Sequence, residues 1–488
     1  MPLGMMVYSS YHYTKTAAED CVKTPSDDRA GVRPTGDNVE NTGTTATERS
    51  AIRKVSLRLV PFIALMFFIN FLDRTAISFA GPNGMTKDLG LSAAQFGFAA
   101  GVFFVGYILL EIPSNLALHK YGARRWLARI MVTWGIVAIL FTWVSSIEGL
   151  YLLRFLLGVA EAGFFPGAIL FLSMWVPARH RCHVLALFYL AQPLTTVIGA
   201  PVAALLIEAH GLFGLAGWRI MFFGVAVPAV VIGVVAWFYL ADKPAHAKWL
   251  TKAERDWLSA ELDKEEKIKP HSHGHMAGQA LRDSRVWVLA LTYFGLIYGL
   301  YALAFFLPTI IGGFEAQYGT KFDVFQKGWI TAIPYLPAAL ALFLWSRDAT
   351  RRGVRPWHVG VPALIGAVSI PAALYMQSPA ATVAVITVTA CAIFSALPNF
   401  WSIPARFLSG AGAAAGIALI NTIGNFAGFA APFVTGAVKD ATGSYQVPMF
   451  IVGGFMLLSA VLVFAISARE KQPAPERNSV LEPKANLK

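Results

Sequence analysis

The feature that most constrains this chain is a succession of twelve apolar runs, most about 20 residues long, separated by short loops that carry charge or turn residues. A helix crosses the roughly 30 Å hydrocarbon layer of a bilayer in about 20 residues. Inside that layer every backbone N–H and C=O must be satisfied by its own segment. Runs of this length, repeated this often, fit one architecture: an all-α polytopic membrane protein. Composition agrees, since only 14% of the 488 residues are charged and the mean hydropathy is +0.56. A soluble domain carries about a quarter of its residues as charge.

The spacing of apolar runs predicts helices over 55–79, 93–117, 125–144, 149–171, 183–209 and 219–240, then 285–311, 326–345, 356–376, 380–400, 410–436 and 446–468. This divides the chain into a disordered tail (1–52), a six-helix bundle (53–240), a central loop (241–284), a second six-helix bundle (285–468) and a tail (469–488). The tail before residue 52 is polar and lacks the apolar stretch of a signal peptide. Met5, Met6 or a later codon could equally be the start. The central loop holds an amphipathic stretch, KAERDWLSAELDKEEKIK.

The net charge of +12 comes largely from one set of loops. Arg53, Lys54, Arg58, Lys120, Arg124, Arg125, Arg129, Arg179, Arg181, Arg347, Arg351, Arg352, Arg355, Arg406, Arg469 and Lys471 share one side; the other has only Lys87, Arg219, Lys321, Lys327 and Lys439. Cytoplasmic loops carry such an excess. Both termini are therefore expected in the cytoplasm, the protein in the inner (plasma) membrane, and no nucleic-acid partner is implied. The loop HKYGARRWLAR after the second helix is echoed by SRDATRRGVR after the eighth. A basic turn at the same place in each half points to duplication of a six-helix unit, with a substrate site between the halves.

Several activities are excluded or disfavoured. No GxxxxGK[ST] phosphate loop occurs, so ATP is not used by this chain. Cys21, Cys182 and Cys391 are too scattered for a thiolate site, and His271, His273 and His275 lack a second ligand cluster. No cofactor or metal is expected, no nucleophile–base constellation marks an enzyme, and the protein is expected to be monomeric.

Ionisable residues inside a span are functional candidates by default, because each is costly there unless paired or wet. Asp73 and Arg74 in the first span, Glu111 in the second, and Arg154 and Glu161 in the fourth stand out. Arg154 and Glu161, seven residues apart, share nearly one helix face about 10 Å apart along the axis. Arginine presents a planar fork to a carboxylate, and a desolvated carboxyl takes up a proton readily. Arg74 and Arg154 are therefore expected to bind an organic anion, and Asp73 and Glu161 to carry protons. The alternative for both pairs is a structural ion pair. Glu111, before Pro113, is read as a gate or a contact to the following loop.

With these residues in view, the stretch 50–470 resembles the major facilitator superfamily and its anion:cation symporter branch. That branch includes permeases for tartrate, phthalate, sugar acids and hydroxyphenylacetate. The resemblance rests on GVFFVGYILLEIPSN, GARRWLARIMVTWG, LYLLRFLLGVAEAGFFPGAILFLSMW and FWSIP. It implies two pseudo-symmetric bundles and substrate contacts at Arg74, Arg154, Tyr107, Gln192, Trp401 and Asn421, with Asn425 as a further option for the last. It also implies gating or structural roles for Glu111, Arg124, Arg125 and Asp348. The four uncharged substrate contacts have a bland alternative as core aromatics or helix-bridging amides. Departures exist: Thr75-Ala76 stand where many relatives have Asn, Phe71 where sugar-acid carriers have Tyr, and His119-Lys120 where the wider superfamily has Asp-Arg. The first two remove hydroxyl-binding capacity and lean the expectation toward a less hydroxylated acid, such as an aromatic one. The expected function is proton-coupled import of a small organic carboxylate by alternating access. The alternatives are efflux by the same fold or a non-transporting nutrient sensor.

Overall fold

A computed structural model describes residues 38–268, 282–404 and 410–470. Cys21, the HSHGH segment, Arg406 and both chain ends fall outside them. Among the described residues the twelve apolar runs form twelve spans, as expected: α1 Ala46–Asn83, α2 Ala93–Leu118, α3 Ala123–Trp143, α4 Ile147–Ser173, α5 Leu187–Glu208, α6 Gly217–Tyr239, α7 Ser284–Gly312, α8 Val324–Arg352, α9 Trp357–Tyr375, α10 Pro379–Phe400, α11 Gly416–Thr442 and α12 Gln446–Ser467. Large apolar residues such as Leu57, Trp143, Phe238 and Val368 stay exposed on the outside of the bundles, where lipid rather than water is the solvent.

The halves repeat one packing scheme. In the first, α2 lies on α4 and α3 on α6; in the second, α8 lies on α10 and α9 on α12. Between halves, α2 meets α11, α5 meets α8 and α1 meets α7, which is the pattern a two-fold axis along the membrane normal produces. The repeated basic loops close alike, with Gly122 after α2 at φ +89° and Gly353 after α8 at φ +74°. A residue with a β-carbon enters that left-handed region only at a cost.

Small residues decide which helices touch. A side chain at Gly158 of α4 would run into the Phe103 carbonyl of α2, and one at Gly106 of α2 into the Phe155 carbonyl of α4. Backbone contact replaces side-chain contact there, which is how helices associate in lipid.

The first helix departs from expectation. The tail thought unstructured to residue 52 enters a helix at Asn38 that runs into α1. Polar contacts hold this entry segment. His180 lies 2.9 Å from Glu48, and Ser50 Oγ and Lys54 Nζ donate to Glu254 at 2.7 and 2.8 Å. Glu254 belongs to the amphipathic linker helix Lys252–Ile268, where Thr251 N also donates to it at 2.8 Å. Arg181 bonds Glu265 at 3.1 Å, and Trp249 stacks on Trp175, so the linker is bound to the first bundle.

Two outcomes follow. Gly158→Ala is expected to lower the melting temperature of the purified protein, by an overpacking cost of about 1–3 kcal/mol. Gly454→Ala, where an added β-carbon meets nothing within 4 Å, should leave it unchanged or raise it slightly. Burial works to raise the Glu254 carboxyl, but the bonds from Lys54, Ser50 and Thr251 outweigh it and hold it down to about 2. An ordinary glutamate titrates near about 4.3. The contribution is therefore complete above that value and fades as pH falls toward 2. Wild type should lose stability over that interval by a step that Glu254→Gln lacks, read from melting curves against pH.

Candidate functional site

Asp73 and Arg74 are neighbours on α1, so their side chains leave the helix about 100° apart and meet different partners. Asp73 turns to α3, where Trp134 Nε1 donates to its Oδ2 at 2.8 Å. Arg74 turns to α4. Its Nε donates to Glu161 Oε1 at 2.9 Å, and its Nη2 contacts the same oxygen. Its Nη1 donates at 3.2 Å to the hydroxyl of Tyr301 on α7. That last bond crosses from one half of the protein to the other. The rings of Phe103 and Tyr107 flank the guanidinium at 5.0 and 5.2 Å, close enough for cation–π attraction.

Glu161 stands at a break that the sequence reading missed. The helix expected over 149–171 stops at Glu161 and restarts at Phe164. Between them Ala162 is extended and Gly163 adopts φ +83°. A β-carbon at Gly163 would lie 2.5 Å from Ser114 Oγ of α2, so the tight approach of α2 also demands glycine there. Glu161 thus ends a helix, where the dipole opposes negative charge. Arg74 offsets that opposition. The other carboxyl oxygen, Oε2, has no hydrogen bond among the described residues, and the buried amide of Asn70 lies beside the carboxyl.

Arg154 differs from what its spacing implied. It is fully buried, and its Nε and Nη2 donate to the carbonyls of Ala99 and Ala100 on α2 at 3.1 and 3.2 Å. A weaker contact at 3.5 Å reaches the Arg74 carbonyl. The two arginines are therefore not a matched pair of forks facing one chamber. Arg74 reaches the other half, while Arg154 clamps α4 to the backbones of α2 and α1. The physical reason is the close α2–α4 contact at Gly158, which brings the carbonyls of α2 within reach. Asp73, Arg74, Arg154 and Glu161 still form one buried cluster of two basic and two acidic side chains.

The remaining candidates scatter around this core. Tyr107 is buried against Arg74. Glu111, expected to contact the following loop or act as a gate, accepts a bond from Asn421 Nδ2 of α11 at 3.0 Å, a second link between halves. Trp401 packs edge-on against Tyr293 of α7 at 4.8 Å, and Gln192 of α5 and Asn425 of α11 are half-buried. Arg124 is tied to Asp242 at 3.3 Å, Arg125 is exposed, and Asp348 bonds Arg352 at 2.8 Å. These last three lie at loop ends away from the cluster. Tyr301, Trp134 and Asn70 were missed by the sequence reading. A tyrosine repeated three residues apart in YGLYALAF, inside an apolar span, was the available signal for the first.

The profile of the Major Facilitator Superfamily matches residues 63–432. The chain belongs to that superfamily. Superfamily members are transporters, not enzymes, and the twelve spans make this one a multi-pass membrane protein. A protein of Agrobacterium vitis provisionally named a tartrate transporter is 48% identical over 434 residues, covering 89% of this chain and 94% of that one. A quinolone resistance transporter of Acinetobacter baumannii is 36% identical, covering 89% and 99%. The inner membrane transport protein RhmT of Escherichia coli is 34% identical, covering 86% and 96%. Among solved structures, a bacterial homologue of the lysosomal transporter Spinster superposes with a TM-score of 0.68 at 17% identity, covering 90% of this chain and 100% of that one. The xylose transporter XylE of E. coli superposes with a TM-score of 0.62 at 15% identity, covering 84% and 98%. At these identities the superpositions establish the shared fold.

Removing the Arg154 guanidinium takes one of two counter-charges from the buried acids and leaves the Ala99 and Ala100 carbonyls without their donor, at a cost of about 3–5 kcal/mol. Arg154→Ala should therefore melt well below wild type. Arg154→Ala combined with Asp73→Asn should recover part of the loss, because one buried acid that Arg154 offsets is then gone. A double variant no more stable than the single one would show that the clamp on α2, rather than charge balance, sets the cost.

Proposed function

We propose that this transporter imports a small organic dicarboxylate of the tartrate class together with protons, by alternating access of its two bundles. The observation that carries the reading is the Arg74–Glu161 pair, buried at the interface of the halves and bonded to Tyr301 of the opposite half. Arg74 is the cation best placed to receive a substrate carboxylate, with Tyr107 and Tyr301 as aromatic and hydroxyl neighbours. When the substrate takes the guanidinium, Glu161 loses its counter-charge and binds a proton at Oε2. Anion and proton binding then favour one another, which is symport stated as linkage. Asp73, held by Trp134, and Arg154, held by α2, keep the charge balance in this reading, and their direct part in substrate and proton binding is secondary.

The Agrobacterium relative supports a hydroxylated dicarboxylate over the aromatic acid that Thr75-Ala76 and Phe71 first favoured. One carboxylate of such a substrate meets Arg74, while Asn421, Gln192 and Trp401 supply polar and aromatic contacts from the neighbouring helices. The basic loops support a cytoplasmic position for both termini. The protein works as a monomer in the plasma membrane with no cofactor, driven by the proton gradient. The Acinetobacter relative is the one observation favouring export instead.

Proteoliposomes test this directly. An inward proton gradient should drive accumulation of labelled tartrate, and Arg74→Ala should abolish it. Glu161→Gln should lose gradient-driven accumulation while keeping substrate exchange. If Glu161→Gln accumulates tartrate as well as wild type, Glu161 is not the proton carrier. Outward movement of a quinolone against an unresponsive tartrate assay would favour export.

A further inference from the structure

The halves meet most closely at the end remote from both termini. There Gly97 and Gly101 of α2 abut the Pro432 and Phe429 carbonyls of α11, Gly436 of α11 abuts the Ala93 carbonyl, and Gly328 of α8 abuts Ala200 and Ala204 of α5. Glycine contacts let surfaces touch, but they do not discriminate one conformation strongly from another. The polar groups at the same end do.

A helix begins with N–H groups that have no partner within the helix. At α2, Ser92 and Gln95 form a capping box in which Ser92 Oγ takes the Gln95 N–H. The two preceding donors, Ala93 N and Ala94 N, go instead to Asp440 Oδ1 and Oδ2 at 3.1 and 2.8 Å. Asp440 lies at the end of α11, in the opposite half. At α8, Asp323 and Gln326 form the same box, with Asp323 Oδ1 taking the Gln326 N–H at 2.6 Å. The donor before it, Phe325 N, goes to Glu208 Oε1 at 3.1 Å, and Glu208 ends α5, again in the opposite half. Helices α2 and α8 are related by the two-fold pseudo-symmetry, as are α11 and α5. One device is therefore built twice: a carboxylate at the end of a helix in one bundle completes the cap of a helix in the other.

We propose that Asp440 and Glu208 are paired gating residues that hold this end of the transporter closed, and that both caps must release for it to open. Each carboxylate also meets the positive end of a helix dipole, so the attraction is stronger than between neutral groups. When the bundles rock apart, the first-turn N–H groups and the carboxylates pass to water. That replaces the bonds without leaving buried unpaired groups, because both acids are exposed. The latch is thus strong enough to bias the equilibrium and weak enough to cycle. The inference rests on alternating access, but not on the identity of the substrate or on proton coupling.

The test needs no substrate. In a full-length background with Cys21, Cys182 and Cys391 replaced by Ser, one spin-label pair is placed at Lys87→Cys and Lys321→Cys on the closed end. A second is placed at Lys120→Cys and Arg351→Cys on the other end. Distances are measured in lipid nanodiscs. Asp440→Ala and Glu208→Ala should each enlarge the population with a long closed-end distance about five-fold, the worth of one helix cap. The double variant should show the product of the two effects, as independent sites do. The second pair should shorten in step. Ala93→Pro supplies an arm free of any acidic change. Proline suits the first helical position, and Ser92 already holds the extended backbone a following proline requires. It removes one of the two donors to Asp440 and should act in the same direction as Asp440→Ala but less strongly, with no further effect when added to it. Unchanged distances in the alanine variants, or in Ala93→Pro should those variants fail to fold, overturn the proposal. Lengthening at both ends together also overturns it, since the carboxylates would then hold the bundles together rather than gate them. Distances that shift as expected in a protein inert toward tartrate would sink the tartrate-uptake reading and leave the gate standing.

Discussion

A charged group inside a bilayer survives only with a counter-charge or access to water, and the interior of this protein is arranged around that constraint. Two guanidinium groups and two carboxylates lie buried together in the first bundle. Packed against one another, the basic and acidic groups lower the cost of holding α1 and α4 in the membrane. Features that look unrelated serve the same end. Gly158 brings the backbone of α2 to Arg154, the break at Ala162–Gly163 presents Glu161 at a helix end, and the rings of Phe103 and Tyr107 cover the guanidinium of Arg74.

The two halves are alike in topology and unlike in chemistry. Among the described residues the second bundle brings neutral groups to the buried charges of the first: the hydroxyl of Tyr301 to Arg74 and the amide of Asn421 to Glu111. A charged group held by neutral partners across an interface can exchange them at modest cost, whereas an ion pair across the same interface would lock it. Concentrating the charge in one half and the neutral donors in the other is compatible with bundles that separate and rejoin. The linker helix reinforces this division, being fastened to the first bundle through Glu254 and Glu265.

Most of the architecture was readable from hydropathy and loop charge. Twelve apolar runs cannot satisfy their backbones in lipid except as helices, so span number followed directly. The charged residues inside those runs were equally visible, because so few occur. What pattern could not reveal was the direction in which each side chain finds its partner. Asp73 and Arg74 are adjacent letters, yet one faces α3 and the other α4 and α7. The start of the first helix was placed too late, because the polar segment before residue 52 becomes ordered by contacts with Glu254 and His180, which lie more than 100 residues away. The break in α4 escaped notice because Ala162 and Gly163 read as small packing residues in a continuous helix.

By itself the sequence determined the solvent, the number of spans, the internal repeat and the short roster of charged residues that the membrane would have to tolerate. Those are properties of composition and of spacing along one chain. Tertiary structure alone decided that Arg74 bonds across the halves to Tyr301 while Arg154 serves the backbone, and that Asp440 and Glu208 cap helices in opposite bundles. Each of these depends on which helices come within about 3 Å of one another, and that is set by the packing of small residues at crossings far apart in the chain.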